Sequence, residues 1–238
     1  MSNALPFSGP DAYVADSGSD KSEGPMATVL IIGASKGIGL ETVKAALAAG
    51  HTVRAFARSA ANIAITDPRL EKFAGDALSQ ADIAKALTGA DAVIQSLGVA
   101  SLQELIFGTT LFSASTAVLV AAMQAAGVKR LITVTGAGAG NSRGRIGFLY
   151  DNLLFPLMLQ RVYSDKDIAE DIIAKSGLDW TIARPGGLTN GAATGRYRIL
   201  TEMKDWRGGF ISRADVADFL VKQIAGRNLL AKAPVLVG

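Results

Sequence analysis

Three closely spaced glycines separate an apolar run from a helical pattern near the start of the chain. Residues 28–32 (TVLII) predict a buried strand, a helix is expected over 38–49, and the glycines at their junction are Gly33, Gly37 and Gly39. In such a turn the first glycine permits a tight exit from the strand, the second leaves room for a phosphate against the backbone, and the third lets helix and strand pack closely. Free N–H groups at the helix N-terminus attract an anion. Because these elements open a β-α-β unit, they favour a phosphate-binding loop over an ordinary glycine-rich turn.

Strand-like and helical patterns alternate along the rest of the chain. Further strands are expected over 52–57, 70–73, 92–95, 130–134, 180–183 and 234–237, and further helices over 80–87, within 102–126, and over 164–175 and 213–224. Near-continuous apolar strands that alternate with helices are typical of a parallel sheet covered on both faces. The sequence therefore predicts one α/β domain over residues 26–238, with a doubly wound parallel sheet and a ligand site at the carboxyl ends of its strands.

The first 25 residues differ in composition from the rest. They are rich in Asp, Ser and Gly and lack apolar periodicity, so residues 1–25 are expected to form a flexible N-terminal extension. Translation from Met26 is an alternative to translation from Met1. No basic segment followed by an apolar stretch indicates a secretory signal, and we expect a cytoplasmic protein.

Composition argues against several other kinds of site. The chain has no Cys, and His51 is its only His, so neither a disulfide scaffold nor a metal site is expected. His51 lies at the amino end of the second strand and is interpreted as structural or solvated. The net charge of +3 is too small to indicate a nucleic-acid partner. The uncharged run 105–128 contains Thr, Ser and Gln, which favours a buried helix over a membrane span.

The glycine loop and two later segments together resemble a known superfamily. The segments are YSDKDIAE, from Tyr163 to Glu170, and SGLDWTIARPG, from Ser176 to Gly186. With the glycine loop they are similar to the short-chain dehydrogenases/reductases, in particular to the atypical branch of NmrA-like proteins and the biliverdin reductase B or flavin reductase type. The resemblance runs from residue 26 to the C-terminus and implies a Rossmann-type fold that binds NAD(P). It is not specific for a substrate.

The end of the second predicted strand indicates which dinucleotide is bound. An NAD site usually carries an acid there for the ribose hydroxyls, but no acid occurs between Glu41 and Asp67. Arg58 stands at this strand end, and a guanidinium fork suits a 2′-phosphate. In the family, basic residues at the places of Arg58 and Lys36 imply NADP(H). The alternative for Arg58 is a solvated strand end.

Small and polar residues recur at the carboxyl ends of the other predicted strands. The resemblance implies that Asp76 contacts adenine, although Asp76 and Ser79 are also candidate helix caps. The residues expected to bind the cofactor are Gly33, Ser35, Lys36, Gly37, Ile38, Gly39, Arg58, Asp76, Ser96, Leu97, Gly98, Thr135, Lys166, Pro185, Gly186, Gly187 and Leu188. Ordinary turns explain each glycine alone but explain less well the recurrence at strand after strand.

The catalytic residues depart from the superfamily pattern. The family places Tyr and Lys four residues apart on one helix, where the lysine lowers the tyrosine pKa and binds the nicotinamide ribose. Lys166 matches the family lysine, but Val162 stands at the tyrosine place and Tyr163 comes one residue late. We expect Lys166 to bind the ribose and Thr135 to orient the substrate. Tyr163 is the candidate acid, with water or the substrate as the alternative proton source. A surface pair with Glu170 is the alternative for Lys166.

Two segments are candidates for the substrate side. Residues 137–162 are first Gly-rich and then apolar. They are expected over the nicotinamide, either as a cover for a flat substrate or a partner, or as a helix packed on the sheet. Residues 195–210, which include Tyr197 and Trp206, are expected to form the opposite wall. Their arginines favour an anionic substrate or are simply exposed.

The resemblance implies an NADPH-dependent reductase that transfers hydride to a small carbonyl, quinone or flavin acceptor. The alternative is a non-catalytic NADP-binding redox sensor or assembly factor of the NmrA-like type. A sugar-nucleotide epimerase is a third interpretation, although the chain after the sixth strand is short for a substrate domain. The expected partner is a small-molecule substrate, without nucleic acid or membrane, and the chain is expected to be a monomer or homodimer.

Overall fold

A sheet built around parallel strands forms the centre of the fold. The computed structural model describes residues 13–14, 26–98, 108–142 and 160–238. Its strands are β1 (Tyr13–Val14), β2 (Thr28–Ile32), β3 (Thr52–Ala57), β4 (Leu70–Ala74), β5 (Ala92–Gln95), β6 (Arg130–Val134), β7 (Asp179–Pro185), β8 (Gly187–Thr189), β9 (Arg198–Leu200), β10 (Phe210–Ser212) and β11 (Val235–Val237). Its helices are α1 (Gly37–Ala48), α2 (Gln80–Leu87), α3 (Leu111–Ala126), α4 (Gln160–Ala174) and α5 (Arg213–Ala225).

The order of the strands reverses at β2. In the described part of the chain, one sheet has the order β1-β9-β11-β7-β6-β5-β2-β3-β4, and β8 pairs with β10 separately. Strands β2 to β7 and β11 are parallel to one another, whereas β9 pairs antiparallel with β11 and β1 pairs antiparallel with β9. The chain runs from β2 to β3 and β4 on one side and then returns to β5 on the other. The predicted Rossmann-type doubly wound α/β fold is confirmed, and its switch point lies between β2 and β5, where such folds bind ligands.

Helices cover both faces of the sheet because strand residues alternate between two apolar clusters. Val29 and Ile31 pack with α1 and α5 on one face, and Leu30 and Ile32 pack with α2, α3 and α4 on the other. Successive residues of a strand point to opposite faces. A strand buried on both faces therefore appears in the sequence as an uninterrupted apolar run.

The predicted order of strands and helices is confirmed, with shifts of a few residues at some ends. The expected long helix begins at Leu111, and residues 99–107 lie outside the described ones. Ser115 and Thr116 of α3 are buried and hydrogen-bond the Gln95 side chain, as expected of a helix buried within the fold. None of the helices in the described residues combines the length and the apolar composition that crossing a membrane requires.

Four short strands lie outside the predicted pattern. Three-residue strands such as β8, β9 and β10 carry too little periodicity to be recognised. β1 lies within the expected N-terminal extension, where it pairs with Arg198 and Ile199 of β9. The other residues of 1–25 are outside the described ones, so the flexible extension and the domain boundary at residue 26 stay predictions.

His51 has a structural place at the amino end of β3. The Ala27 N–H donates a hydrogen bond to His51 Nδ1 at 3.3 Å, and the residue is buried. Burial lowers the pKa of His51, because a charged imidazolium loses solvation. The histidine therefore lies at the sheet edge opposite the expected ligand site.

Candidate cofactor cleft

The turn between β2 and α1 has the conformation that its glycines predict. Gly33 has a φ of +85° and Gly37 a φ of +59°, in the left-handed region that glycine enters without steric cost. A Cβ on Gly33 would collide with the Ser96 carbonyl, and a Cβ on Gly39 would collide with the Gly33 carbonyl. Gly39 therefore lets α1 pack closely against the end of β2.

The N-terminus of α1 is suited to an anion. Lys36 is the N-cap residue, and its side chain makes no capping hydrogen bond. Among the described residues beyond the loop's own backbone, the nearest atom to a Cβ on Gly37 would be Arg213 Nε, at 4.0 Å. Because helix N-termini carry unpaired N–H groups and a partial positive charge, this loop fits the pyrophosphate of a dinucleotide.

A cleft of about 580 Å³ opens at this end of the sheet, a size typical of cofactor sites. The predicted cofactor-binding residues that line it are Gly33, Ser35, Lys36, Gly37, Ile38, Arg58, Asp76, Ser96, Leu97, Gly98, Thr135, Lys166, Pro185 and Leu188. Gly39, Gly186 and Gly187 are not among the lining residues. Gly39 lies behind the loop, whereas the N–H groups of Gly186 and Gly187 donate to the carbonyls of Leu236 and Gly209.

The charged side chains around the β3 end favour an anionic group. Arg58 and Lys36 are both exposed and both line the cleft. Asp76 is the only acid among the described lining residues, and its Oδ1 accepts from the Leu78 N–H at 3.0 Å. Ser79, not Asp76, caps α2, because the Ser79 hydroxyl accepts from the first turn of that helix. The helix-cap alternative for Asp76 is therefore wrong.

Lys166 reaches the cleft from α4. Its Nζ donates to the Thr135 carbonyl oxygen at 2.5 Å and lies 4.7 Å from the centre of the Tyr163 ring and 5.1 Å from that of Phe112. Burial lowers the pKa of Lys166 to about 8, against the opposing effect of the Glu170 charge. The alternative of an ordinary surface pair is wrong, because Glu170 is buried and its carboxylate is engaged elsewhere.

Glu170 joins α4 to the ends of β6 and β7. Arg184 donates to both carboxylate oxygens, from Nε at 3.1 Å and from Nη2 at 2.5 Å. The Thr135 hydroxyl donates to Glu170 Oε1 at 2.7 Å, and Arg184 Nη1 donates to Asn141 Oδ1 at 2.7 Å. The Arg184 guanidinium also lies 5.5 Å from the Trp206 ring. Thr135 thus lines the cleft with its hydroxyl proton directed to Glu170, and its oxygen keeps acceptor capacity.

Tyr163 lies beside Lys166 but does not line the cleft. It is buried, and a Cβ on Gly136 would come 2.7 Å from its hydroxyl. Val162, at the family's tyrosine place, packs against Phe112 and Ala169 in an apolar cluster. The structure therefore brings Tyr163 and Lys166 together as neighbours. The residue four positions before Lys166, where the family has its tyrosine, is Val162 and lies in the core.

Two segments were predicted to lie on the substrate side of the cleft, residues 137–162 and 195–210. Residues 143–159 of the expected apolar cover lie outside the described ones. Tyr197 and Trp206 are buried; the Tyr197 hydroxyl donates to Asp218 at 2.7 Å and Trp206 Nε1 to the Leu200 carbonyl at 3.0 Å. The expectation that these two rings form a cleft wall is wrong, because both rings pack in the core. Pro185 of β7 and Leu188 of β8 contribute apolar lining to the cleft after the sixth predicted strand.

Arg213 is a cleft-lining residue absent from the sequence-based prediction. It is the first residue of α5, directly after Ser212, whose hydroxyl accepts from the Asp215 N–H. A cation in the first turn of a helix opposes the helix dipole. The only local sign of a ligand-binding role for Arg213 was thus a basic residue directly after a serine cap. Its place in the cleft depends on contacts between segments that are distant in the sequence.

Comparisons with known proteins agree with this geometry. Residues 33–227 match the model of an NAD(P)H-binding family. The solved structure of ChuY, described as an anaerobillin reductase from Escherichia coli O157:H7, is 27% identical with a TM-score of 0.70, and covers 88% of this chain and 96% of its own. A short-chain dehydrogenase/reductase from Veillonella parvula, solved in complex with NADP, is 17% identical with a TM-score of 0.74, and covers 89% of this chain and 94% of its own. The second likeness concerns the fold alone.

A curated relative is similar over part of its length. The Bacillus subtilis protein called uncharacterized sugar epimerase YhfK is 34% identical over 154 residues. The similar region covers 63% of this chain and 64% of the relative. The chain therefore spans less than two thirds of that protein.

Proposed function

The chain belongs to the NAD(P)H-binding family, and on this premise we propose that it is an NADPH-dependent reductase acting on a small carbonyl, quinone or flavin acceptor. The observation that carries the proposal is that the phosphate loop, Arg58 and Lys166 line one cleft at the switch point of the sheet. When bound, the nicotinamide supplies the hydride. The similarity to a reductase among the solved structures supports the same class.

The preference for NADPH rests on the charges at the end of β3. Arg58 and Lys36 carry positive charge, and Asp76 is the only acid lining the cleft in the described residues. A 2′-phosphate gains charge-assisted hydrogen bonds from such groups. The ribose hydroxyls of NADH lack the charge that would make the same contacts strong.

At the opposite end of the cleft, Lys166 is the residue placed to hold a ribose. Its Nζ is oriented by the Thr135 carbonyl and lies in the cleft. With a pKa of about 8, the group is largely an ammonium at neutral pH, so it donates hydrogen bonds. Its role is binding and orientation of the nicotinamide end.

Apart from Lys166, which we assign to binding the ribose, the described residues that line the cleft offer no acidic side chain placed to protonate the reduced acceptor. Thr135 directs its hydroxyl hydrogen to Glu170, and Tyr163 does not line the cleft. Glu170 could donate a proton only if its carboxylate were first protonated, which would break hydrogen bonds that it accepts from Arg184. We therefore assign protonation to water or to the acceptor itself, as flavins and quinones allow.

The second candidate function is a redox sensor that binds NADP without turnover. The specific observation in its favour is Val162, whose side chain is buried among apolar residues at the place of the family's catalytic tyrosine. The name of the Bacillus subtilis relative points to a sugar epimerase. The buried Val162 argues against that function too, because the superfamily that this chain resembles uses the tyrosine at this place in catalysis.

The experiment is NADPH oxidation by the full chain across a panel of quinones, flavins, carbonyls and a nucleotide sugar. NADPH binding is measured in parallel by the change in its fluorescence. Turnover with one acceptor class supports the reductase and names its substrate. Tight NADPH binding without turnover on any acceptor supports the sensor, and absence of binding contradicts both.

A further inference from the structure

Arg213 reaches the phosphate loop from the opposite end of the sequence. Its side chain lines the cofactor cleft together with Gly37, and among described atoms beyond the loop's own backbone its Nε is the nearest to a Cβ on Gly37, at 4.0 Å. The same two residues also line a second cleft of about 990 Å³ between α1 and α5. Arg213 therefore stands on the boundary between the two clefts, above the N-terminus of α1.

Two hydrogen bonds from one nitrogen orient the Arg213 guanidinium. Arg213 Nη1 donates to the Thr189 carbonyl at 3.1 Å and to Asn190 Oδ1 at 2.7 Å. Asp215, two residues later, accepts from the N–H groups of Thr194 and Gly195. The segment that holds Arg213 is thus itself anchored to α5. A held guanidinium loses less conformational freedom on binding than a mobile one.

The charge of Arg213 is not neutralised by an ion pair with any described residue. The acids of the second cleft, Glu41 and Asp218, pair with Lys44 and Lys222. A cation at a helix N-terminus also opposes the dipole of α5. The positive charge of Arg213 therefore does not stabilise α5 and has no ion-pair partner among the described residues. An anionic ligand would supply the missing counter-charge.

We propose that Arg213 binds the pyrophosphate of the dinucleotide, opposite the N–H groups at the start of α1. This inference rests on the proposed function and adds a binding residue to its site. Arg213 provides binding energy shared by NADPH and NADH, whereas Arg58 provides energy specific to the 2′-phosphate. The two arginines therefore divide the recognition of one ligand.

Two fragments of the cofactor separate these roles. ADP-ribose carries the pyrophosphate without a 2′-phosphate, and adenosine 2′-phosphate carries the 2′-phosphate without a pyrophosphate. Dissociation constants for both are measured calorimetrically on wild type, Arg213→Gln, Arg213→Lys and Arg58→Ala. Arg69→Gln is the matched control, because Arg69 is an exposed arginine that pairs with Asp67 outside the cleft.

The expected result is a double dissociation. Arg213→Gln weakens ADP-ribose by about 10- to 100-fold, the loss of a charge-assisted contact, and leaves adenosine 2′-phosphate unchanged. Arg213→Lys recovers part of the loss, and Arg58→Ala shows the reverse selectivity. Thermal unfolding of each variant confirms that the fold persists.

Two results overturn the assignment. Unchanged ADP-ribose affinity in Arg213→Gln means that the guanidinium makes no pyrophosphate contact. An equal loss for both fragments means that it acts only through the shape of the cleft. If wild type binds neither NADPH nor ADP-ribose, the proposed function itself fails, which is a different outcome.

Discussion

Glu170 and Arg184 form a buried, two-pronged ion pair between α4 and β7. Arg184 Nη2 lies 2.5 Å from Glu170 Oε2, and the two side chains are only 8% and 5% exposed. The same carboxylate holds the Thr135 hydroxyl at the edge of the cleft. One buried pair thus connects the helix that carries Lys166 to the strand ends that line the cleft.

Removing the carboxylate is expected to destabilise the fold strongly. Glu170→Ala leaves the Arg184 guanidinium buried without its counter-charge, which costs about 3–5 kcal/mol. The free energy of unfolding, measured with urea, tests this. Glu41→Ala breaks the exposed Lys44–Glu41 pair and serves as control, with an expected loss below about 1 kcal/mol. Equal losses in the two variants would contradict the buried role of Glu170.

Substitutions of two glycines in the phosphate loop are expected to differ in whether stability or cofactor affinity suffers more. Gly39→Ala forces a Cβ into the Gly33 carbonyl, and backbone cannot give way as a side chain can, so we expect a loss of about 3 kcal/mol in stability. A Cβ on Gly37 would lie 4.0 Å from Arg213 Nε, without a collision, but Gly37→Ala holds a positive φ, which costs about 1–2 kcal/mol. Urea unfolding and NADPH titration are measured on both. Gly37→Ala should lose affinity beyond its loss in stability, and a larger stability loss for Gly37→Ala than for Gly39→Ala would refute this.

Arg58 is predicted to determine the choice between the two cofactors. Arg58→Ala should weaken NADPH binding by about 1.5–3 kcal/mol, the worth of a charge-assisted hydrogen bond, and leave NADH binding nearly unchanged. Lys85→Ala, on the exposed surface of α2, controls for a general loss of positive charge. Fluorescence titrations with both cofactors give the answer. An equal effect on NADPH and NADH would remove Arg58 from the 2′-phosphate site.

The lowered pKa of Lys166 predicts a pH dependence of stability. Between about 8, its pKa in the fold, and 10.5, its ordinary value, the unfolded chain binds more protons at this residue than the folded one. The contribution of Lys166 to stability is therefore least below about pH 8 and rises towards pH 10.5. Urea unfolding of wild type and Lys166→Met at pH 7, 8, 9 and 10 isolates this contribution. A difference between the two proteins that stays flat or falls with pH would be inconsistent with a lysine desolvated in the fold.

The local features of the site were predictable from sequence, and the contacts between distant segments were not. The β2–α1 turn follows from the spacing of three glycines, because each requirement is met within a few residues. Arg213 lies 180 residues beyond Gly33 in the sequence, and only packing of α5 beside α1 brings it to the loop. No local pattern reports such a contact.

The aromatic and acidic residues on the substrate side show the same limit. Glu170 carries a charge typical of surface residues and Trp206 carries one polar N–H group, yet both are buried, and Arg184 lies against each of them. Their roles depend on how α4, β7 and the segment after β9 meet. From the sequence, Trp206 was expected in a cleft wall, and a surface pair of Glu170 with Lys166 was the alternative to ribose binding; the packing contradicts both.

The most direct test of the account is transfer of deuterium from NADPH deuterated at nicotinamide C4. The full chain is mixed with the labelled cofactor, prepared in both stereochemical forms, and each acceptor of the panel. The NADP⁺ formed is analysed by mass spectrometry, because deuterium delivered to a flavin nitrogen or a hydroquinone oxygen exchanges with water, and Gly37→Val is the matched control for non-enzymatic oxidation. We predict that with one acceptor class the NADP⁺ has lost its deuterium when one stereochemical form is used and keeps it when the other is used, and that Gly37→Val forms no NADP⁺ above background. Tight binding of NADPH with no NADP⁺ formed above background with any acceptor would contradict a reductase and leave the cleft as a sensor site.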